Sequence, residues 1–396
     1  MDLNPTPEQA AFRDEVRAWL AAHVPSKPLR PSSTEEGLEA HRAWEKKLYE
    51  AGYAAIHWPA EYGGRGADLL TQAIFSEEYA RAGAPERVNV LGLGLAGPVL
   101  IDFGTEEQKH RWLPGILSCD AIWSQGFSEP DAGSDLAALS TSAVRDGDHL
   151  VVNGQKIWTT LGRFADWIFT LVRTNRDAAP HQGITVMMIP MDTPGIEVRP
   201  IMQINEDPGF SEVFFTDVRV PVDNVVGEVD DGWRIAMATL GYERGTGLGN
   251  HVRFSNNVQE LVALARDAGV DEEPLVRDDV AQRFIETEVF RHHMHRTLTR
   301  MATGQAPGPE ASLNKLYWSE MEARIFGSGL ELMGPAAVLS DKASAAPEIP
   351  NWQKRYWYAR AATIYAGTSE IQKNIIAERV LGLPKEPRPQ RAGGGH

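Results

Sequence analysis

Leu150-Val151-Val152-Asn153-Gly154-Gln155-Lys156-Ile157-Trp158-Thr159-Thr160 is the stretch on which the architecture turns. β-Branched and aromatic residues crowd both of its halves, and an Asn-Gly pair divides them. Asn and Gly tolerate two successive positive φ angles, so the stretch reads as a hairpin turning at Asn153-Gly154. Similar runs follow at Trp167 to Arg173, Gly183 to Pro190, Ile196 to Ile201 and Glu212 to Val220, separated by Pro, Gly or Asp. From about Ile122 to Gly227 the chain is expected to be β.

Outward from this centre the period changes. Thr6-Pro7-Glu8-Gln9 predicts a capped helix start, with Thr6 at the N-cap, Pro7 at the first helical position and Gln9 reaching back. Phe12, Val16, Leu20 and Val24 then recur every fourth residue as an apolar stripe. After Gly227 Trp233, Met237 and Leu240 mark one face of a helix, and helical patterns run to about Leu381. A Pro/Gly-rich tail begins at Pro384 and is expected to be flexible. Helices, then strands, then helices make an α+β chain, not the alternating βαβ of nucleotide-binding sheets. The expected division is a helical domain over 1–121, a β domain over 122–227, a helical domain over 228–385 and a tail over 386–396.

With 396 residues, 42% of them apolar, the chain has room for two or three domains and a sizeable core. A net charge of −15 argues against a nucleic-acid partner. A single cysteine, Cys119, excludes an intrachain disulfide and suits a reducing compartment. No signal peptide is visible, and the most apolar stretch, Val88 to Ile101, is shorter than the roughly 20 residues of a spanning helix. The reading is a cytoplasmic protein with no membrane span.

Three motifs are set aside. Gly92-x-Gly94-x-x-Gly97 matches a dinucleotide fingerprint but has no βαβ unit around it, so tight helix packing is the better reading. Ser312-x-x-Lys315 lacks the companions of a serine nucleophile and reads as a helix face with Glu320 and Glu322. Among His292, His293 and His295 the adjacent pair points to different helix faces, and His292 and His295 at i+3 offer two metal ligands at most; no metal site is expected.

Five blocks, in order, carry a resemblance. They are Trp58-Pro59-Ala60-Glu61-Tyr62-Gly63-Gly64-Arg65-Gly66; Gly104-Thr105-Glu106-Glu107-Gln108-Lys109 with Trp112-Leu113-Pro114; Gln125 to Leu136; Asn153 to Thr160; and Ile364-Tyr365-Ala366-Gly367-Thr368-Ser369-Glu370-Ile371-Gln372 with Asn374 to Arg379. Together they resemble the acyl-CoA dehydrogenase family. The resemblance implies that the C-terminal helices form a four-helix bundle. It also implies FAD, an acyl-CoA substrate oxidised in fatty-acid or side-chain β-oxidation, and a tetramer that passes electrons to an electron-transfer flavoprotein. It places Gln125, Phe127, Ser128, Gly133, Ser134, Trp158, Thr159, Thr160, Thr368 and Glu370 at the cofactor. Ser134, Tyr242, Arg244, Ala366 and Gly367 fall at the substrate.

Ala366 departs from the family, many of whose members carry there the glutamate that removes the substrate's α-proton. Glu243 stands one residue before Arg244, where long-chain and isovaleryl-type members carry that base, and is the expected replacement. Two segments that reach FAD across a subunit interface also depart. The Arg-x-x-Phe-Gly segment has no counterpart, with Arg277 the nearest substitute, and Gln-x-x-Gly-Gly is replaced by Glu331-Leu332-Met333-Gly334-Pro335. These losses point to a mixed α2β2 particle as the alternative to a homotetramer. Two further readings stay open, a non-catalytic subunit of such a particle and an oxygen-using acyl-CoA oxidase or flavin monooxygenase. Four glycines within Gly241 to Gly249 suggest room for a bulky or branched acyl group.

Overall fold

Thr6 caps the first helix as expected: its hydroxyl accepts from Gln9 N–H at 3.3 Å, and the Gln9 side chain accepts from Thr6 N–H at 3.1 Å. In the computed structural model, which describes residues 5–243, 249–305, 308–309, 311–339 and 351–385, the contacts fall into two compact units, 2–253 and 254–396. The expected tail over 386–396 lies outside the described residues.

The first unit opens with α1 (Pro7–His23), α2 (Glu35–Glu50), α3 (Leu69–Arg81), α4 (Gly97–Phe103) and α5 (Glu106–Leu117). Val16 and Leu20 of the stripe are buried, and Phe12 and Val24 flank them in the same cluster with Trp44, Leu48 and Tyr53. Gly97 of the set-aside motif is a packing device. A Cβ on Gly97 would lie 2.0 Å from the Trp58 ring, whose Nε1 donates to Leu93 O at 3.0 Å.

Eight strands follow: β1 (Trp123–Gly126), β2 (Ser142–Asp146), β3 (His149–Thr160), β4 (Trp167–Arg173), β5 (Ile184–Pro190), β6 (Ile196–Ile201), β7 (Phe210–Pro221) and β8 (Val225–Val226). Their order is β6-β7-β3-β2-β4-β5-β8, with β1 added parallel to β4. The sheet is covered on both faces, so its central strands read as unbroken apolar runs. Phe169, Leu171, Val186 and Met188 face the helices, against Trp112, Leu113, Ile116 and Ile235. Ile168, Val172, Met187 and Ile189 face a second core with Val152, Val213 and Phe215.

Asn153-Gly154 is not a turn. It lies inside β3, and the reversal comes earlier, between Asp146 and His149, where Gly147 supplies φ +64°. Gly154 is needed for a close approach instead: a Cβ there would sit 2.6 Å from Thr141 Cα. Asn153 is paired with Asp217, whose left-handed backbone (φ +51°) inserts one extra residue into β7 at this point.

α6 (Gly232–Glu243) returns to helix. Its buried face is Ile235, Ala236 and Thr239, not the expected one, and Met237 is 41% exposed. Small residues decide this. A Cβ on Gly232 would meet Ile184 O at 2.7 Å, so the helix comes down on its narrow side.

α7 (Asn250–Asp267) crosses the division between the units; α8 (Pro274–Ala302), α9 (Ala311–Met333), α10 (Trp352–Ala362) and α11 (Ser369–Ile375) belong to the second. Within that unit Phe254, Val258 and Leu261 of α7, Phe290 and Met294 of α8, Ile325 and Phe326 of α9 and Trp352 and Ala359 of α10 share one core. This is the four-helix bundle. The three histidines ride on α8, His292 exposed and the other two half-buried.

Candidate active site

β1 can lie tight against β4 because Gly126 has no side chain; a Cβ would come within 2.7 Å of Ile168. Thr170 Oγ1 donates to Gly126 O at 2.5 Å and fixes the end of the strand. The next residues are stitched to the end of β3: Ile157 N–H donates to Ser128 O at 3.0 Å and Ser124 Oγ to Thr160 O at 2.7 Å. Gln125, Phe127 and Ser128 are thereby brought beside Trp158, Thr159 and Thr160.

Their side chains divide between two faces. Phe127 is buried edge-on against Phe169, with ring centroids 5.6 Å apart, so only its backbone is offered outward. Between Lys156 and Thr159 the strand carries one residue more than β7, and Trp158 takes φ +61°. That bulge turns the Trp158 ring outward, 55% exposed and edge-on to Phe210. It turns Thr159 inward. Thr159 is wholly buried, so its side chain stays off the outward face and its backbone is the part left for a cofactor contact. Its Oγ1, and Ser211 Oγ opposite, bond to no described group. Gln125, Ser128 and Thr160 stay half-buried, and Gly133 and Ser134 are exposed. A strained, outward-facing Trp beside these polar groups fits one face of a flat, polar-edged ring system such as a flavin.

Beneath this surface lies a pair for which the sequence reading assigned no role. Lys156 Nζ donates to Glu129 Oε1 at 2.8 Å and to Phe127 O at 3.2 Å. Glu129 also accepts from Thr141 N–H (2.9 Å), Ser140 N–H (2.7 Å) and Ser140 Oγ (2.9 Å). Burial raises the Glu129 carboxyl, but the Lys156 charge and these bonds outweigh it and hold it at about 2. Burial pushes the Lys156 ammonium down to about 8 against the pull of Glu129. The signal was a lysine at the same inward parity as Leu150 and Val152.

At the end of α6 the Tyr242 hydroxyl, expected at the substrate, donates its proton to Asp102. Burial and that carboxylate push the phenol up. Glu243 is the last residue of the helix; its side chain, and residues 244–248 with Arg244, lie outside the described residues.

In the second unit the chain from α10 to α11 turns through two left-handed residues, Ala366 (φ +52°) and Gly367 (φ +85°). Gln372 Nε2 donates to both of their carbonyls, at 3.1 and 3.3 Å. Among the described residues no group accepts from the N–H of Ala366, Gly367 or Thr368. The Thr368 hydroxyl caps α11 through Ile371 N–H at 3.2 Å. Glu370 is exposed, and a bond to its own backbone N–H, then the Thr368 hydroxyl, hold its carboxyl below the usual range. Lys315 Nζ donates to Ala362 O at 2.8 Å, and burial lowers it to about 8. Arg277 is paired with Glu272 at the surface.

Family models for the N-terminal, middle and C-terminal domains of acyl-CoA dehydrogenases match residues 6–120, 124–218 and 230–381. The chain is 42% identical to acyl-CoA dehydrogenase IpdE1 of Mycobacterium tuberculosis, over 95% of this chain and 98% of that one. Against IpdE1 of Mycolicibacterium smegmatis the identity is 41%, over 96% and 99%. The structure resembles the Tcur3481-Tcur3483 steroid ACAD with a TM-score of 0.87 and 32% identity, covering 98% of this chain and 100% of that one. It resembles a chain of the ChsE4-ChsE5 complex of Mycobacterium tuberculosis with a TM-score of 0.83 and 33% identity, over 98% and 100%.

Proposed function

The chain belongs to the acyl-CoA dehydrogenase family of oxidoreductases, and from that premise we propose that it desaturates a bulky acyl-CoA thioester between its α and β carbons, with Glu243 as the base. The observation that carries this is the exchange of one carboxylate for another. The family's usual base position holds the methyl group of Ala366, while α6 ends in Glu243. The Glu243 carboxylate takes the α-proton, and the electrons of that C–H bond become the new C=C bond. The Ala366 N–H, which donates to no described group, holds the thioester carbonyl and so acidifies the α-carbon. FAD, when bound, supplies the acceptor for the β-hydride. Trp158, Thr160, Gln125, Ser128, Gly133 and Ser134 would hold it.

Three finer points belong to the same reading. A ring-bearing, steroid-like acyl group is supported by the likeness to the steroid ACAD and by the glycines of Gly241 to Gly249. A mixed assembly is supported by the missing Arg-x-x-Phe-Gly segment, by the replaced segment at Glu331 to Pro335 and by the likeness to a two-component complex. Electrons would leave to an electron-transfer flavoprotein. The division at 121/122 and 227/228, and a cytoplasmic location, remain part of this reading; among the described residues no helix is long and apolar enough to cross a membrane. A non-catalytic subunit is the second reading, and Ala366 is what favours it. The deciding experiment is an anaerobic titration of the purified protein with steroid-type and straight-chain acyl-CoA thioesters. Bleaching of the flavin absorbance by the steroid-type thioesters is expected; a colourless protein, or one that no thioester bleaches, would favour the second reading.

A further inference from the structure

Gln372 is 6% exposed, yet its carboxamide is aimed at backbone rather than at another side chain. Two features make the attachment specific. A Cβ on Gly367 would lie 2.6 Å from Gln372 Nε2, so the loop and the carboxamide are closely fitted. Ala366 is left-handed although it is not glycine, a conformation that persists only where surrounding bonds impose it. The peptides are trans. Holding the Ala366 and Gly367 carbonyls toward Gln372 turns the N–H groups of Gly367 and Thr368 to the opposite side, and the left-handed torsion at Ala366 (φ +52°) ties the direction of its own N–H to the carbonyl that Gln372 holds. Lys315 fixes the start of the same segment through Ala362 O.

We propose that Gln372 is a positioning residue for the reaction: by gripping the Ala366 and Gly367 carbonyls it holds the left-handed turn that presents the Ala366 N–H to the thioester carbonyl. The inference rests on the reading of the Ala366 N–H given above. The Gln372 carboxamide is spent on the two carbonyls, so it acts through the Ala366 backbone. Its effect is to keep a backbone donor fixed before the carbonyl acquires enolate charge, which is where preorganised donors act most. The Gln372 amide suits this task because its NH2 group has two hydrogens, one for each carbonyl.

The test uses the FAD-loaded full chain and acetoacetyl-CoA, a thioester acidic enough to bind partly as its enolate. The absorbance of bound probe against pH reports how strongly the protein stabilises that enolate. In the parent protein the bound probe should ionise at lower pH than in water. Gln372→Met keeps the volume and removes the donor; ionisation should move back by about one pH unit or more, and flavin reduction by an active thioester should slow at least roughly tenfold. The flavin spectrum and circular dichroism should not change, which a general loss of structure would not allow. Gln372→Glu, which cannot donate when ionised, should behave like Gln372→Met. If Gln372→Met does not fold, Gly367→Ala displaces the carboxamide and gives the same readout. A variant that acidifies the probe and reduces its flavin like the parent would overturn the role of Gln372 alone. A parent protein that binds the probe without acidifying it would overturn the Ala366 reading and this inference with it.

Discussion

Lys156 and Glu129 close a 2.8 Å ion pair with both side chains almost wholly out of water. The pair joins β3 to the 129–141 segment, because Glu129 spends its second oxygen on Ser140. Removing one partner leaves a buried charge without its counterpart, which costs about 3–5 kcal/mol. Lys156→Met should lower the unfolding free energy by that order in denaturant titration. Lys156→Met with Glu129→Gln should recover part of it. A single variant as stable as the parent would show that the pair is replaceable by packing alone.

The same carboxylate sets an acid limit. Its folded pKa of about 2 lies below the ordinary 4.5, so the unfolded chain binds the proton first as pH falls. Stability from Glu129 is therefore complete above about pH 4.5 and is lost as pH drops from there toward 2, a contribution on the order of 3 kcal/mol. Glu129→Gln should flatten this part of the stability-versus-pH curve. An unchanged slope would assign acid unfolding to other carboxylates.

Trp158→Ala removes the outward face at the bulge. FAD should then bind roughly tenfold more weakly, the scale of one aromatic contact and its buried area, with a shifted visible spectrum. Equal affinity and an identical spectrum would move the cofactor off this strand.

Glu243→Gln should keep FAD and ligand binding but slow flavin reduction by about a hundredfold or more. Adding Ala366→Glu should restore part of the rate. The backbone at 366 is already left-handed without glycine, so a longer side chain meets the same conformational cost as alanine. Stopped-flow reduction by an active thioester measures both. Reduction of Glu243→Gln at the parent rate would remove Glu243 from the reaction.

The assembly is tested by sedimentation of the FAD-loaded chain alone and with a co-expressed homologous subunit. A mixed particle with more bound FAD than the lone chain is expected. A stable, FAD-loaded monomer would exclude the oligomeric reading.

Much of this was legible beforehand where one local rule governs. The Thr6–Gln9 cap and the strands Trp167–Arg173 and Ile196–Ile201 lie where composition and capping chemistry put them. The failures share a cause. Asn153-Gly154 obeys turn chemistry, but the approach of Thr141 captured its glycine for a strand interior. α6 shows an apolar face at Trp233, Met237 and Leu240, but the closest approach to the sheet runs along its small residues. Ion pairs such as Lys156–Glu129 join positions 27 residues apart, and no sequence period reports them.

Two extra residues, one in β7 at Asp217 and one in β3 at Trp158, displace the pairing register and then bring it back. Without the second, Lys156 and Trp158 would share one side of the strand, because alternate residues do. With it, the lysine stays inside and the tryptophan goes out. The interior salt bridge and the exterior ring platform thus depend on the same single insertion. Point substitutions can tune either one separately. Deleting one residue between Lys156 and Thr159 abolishes their opposition in one step, so in this segment length is under tighter constraint than composition.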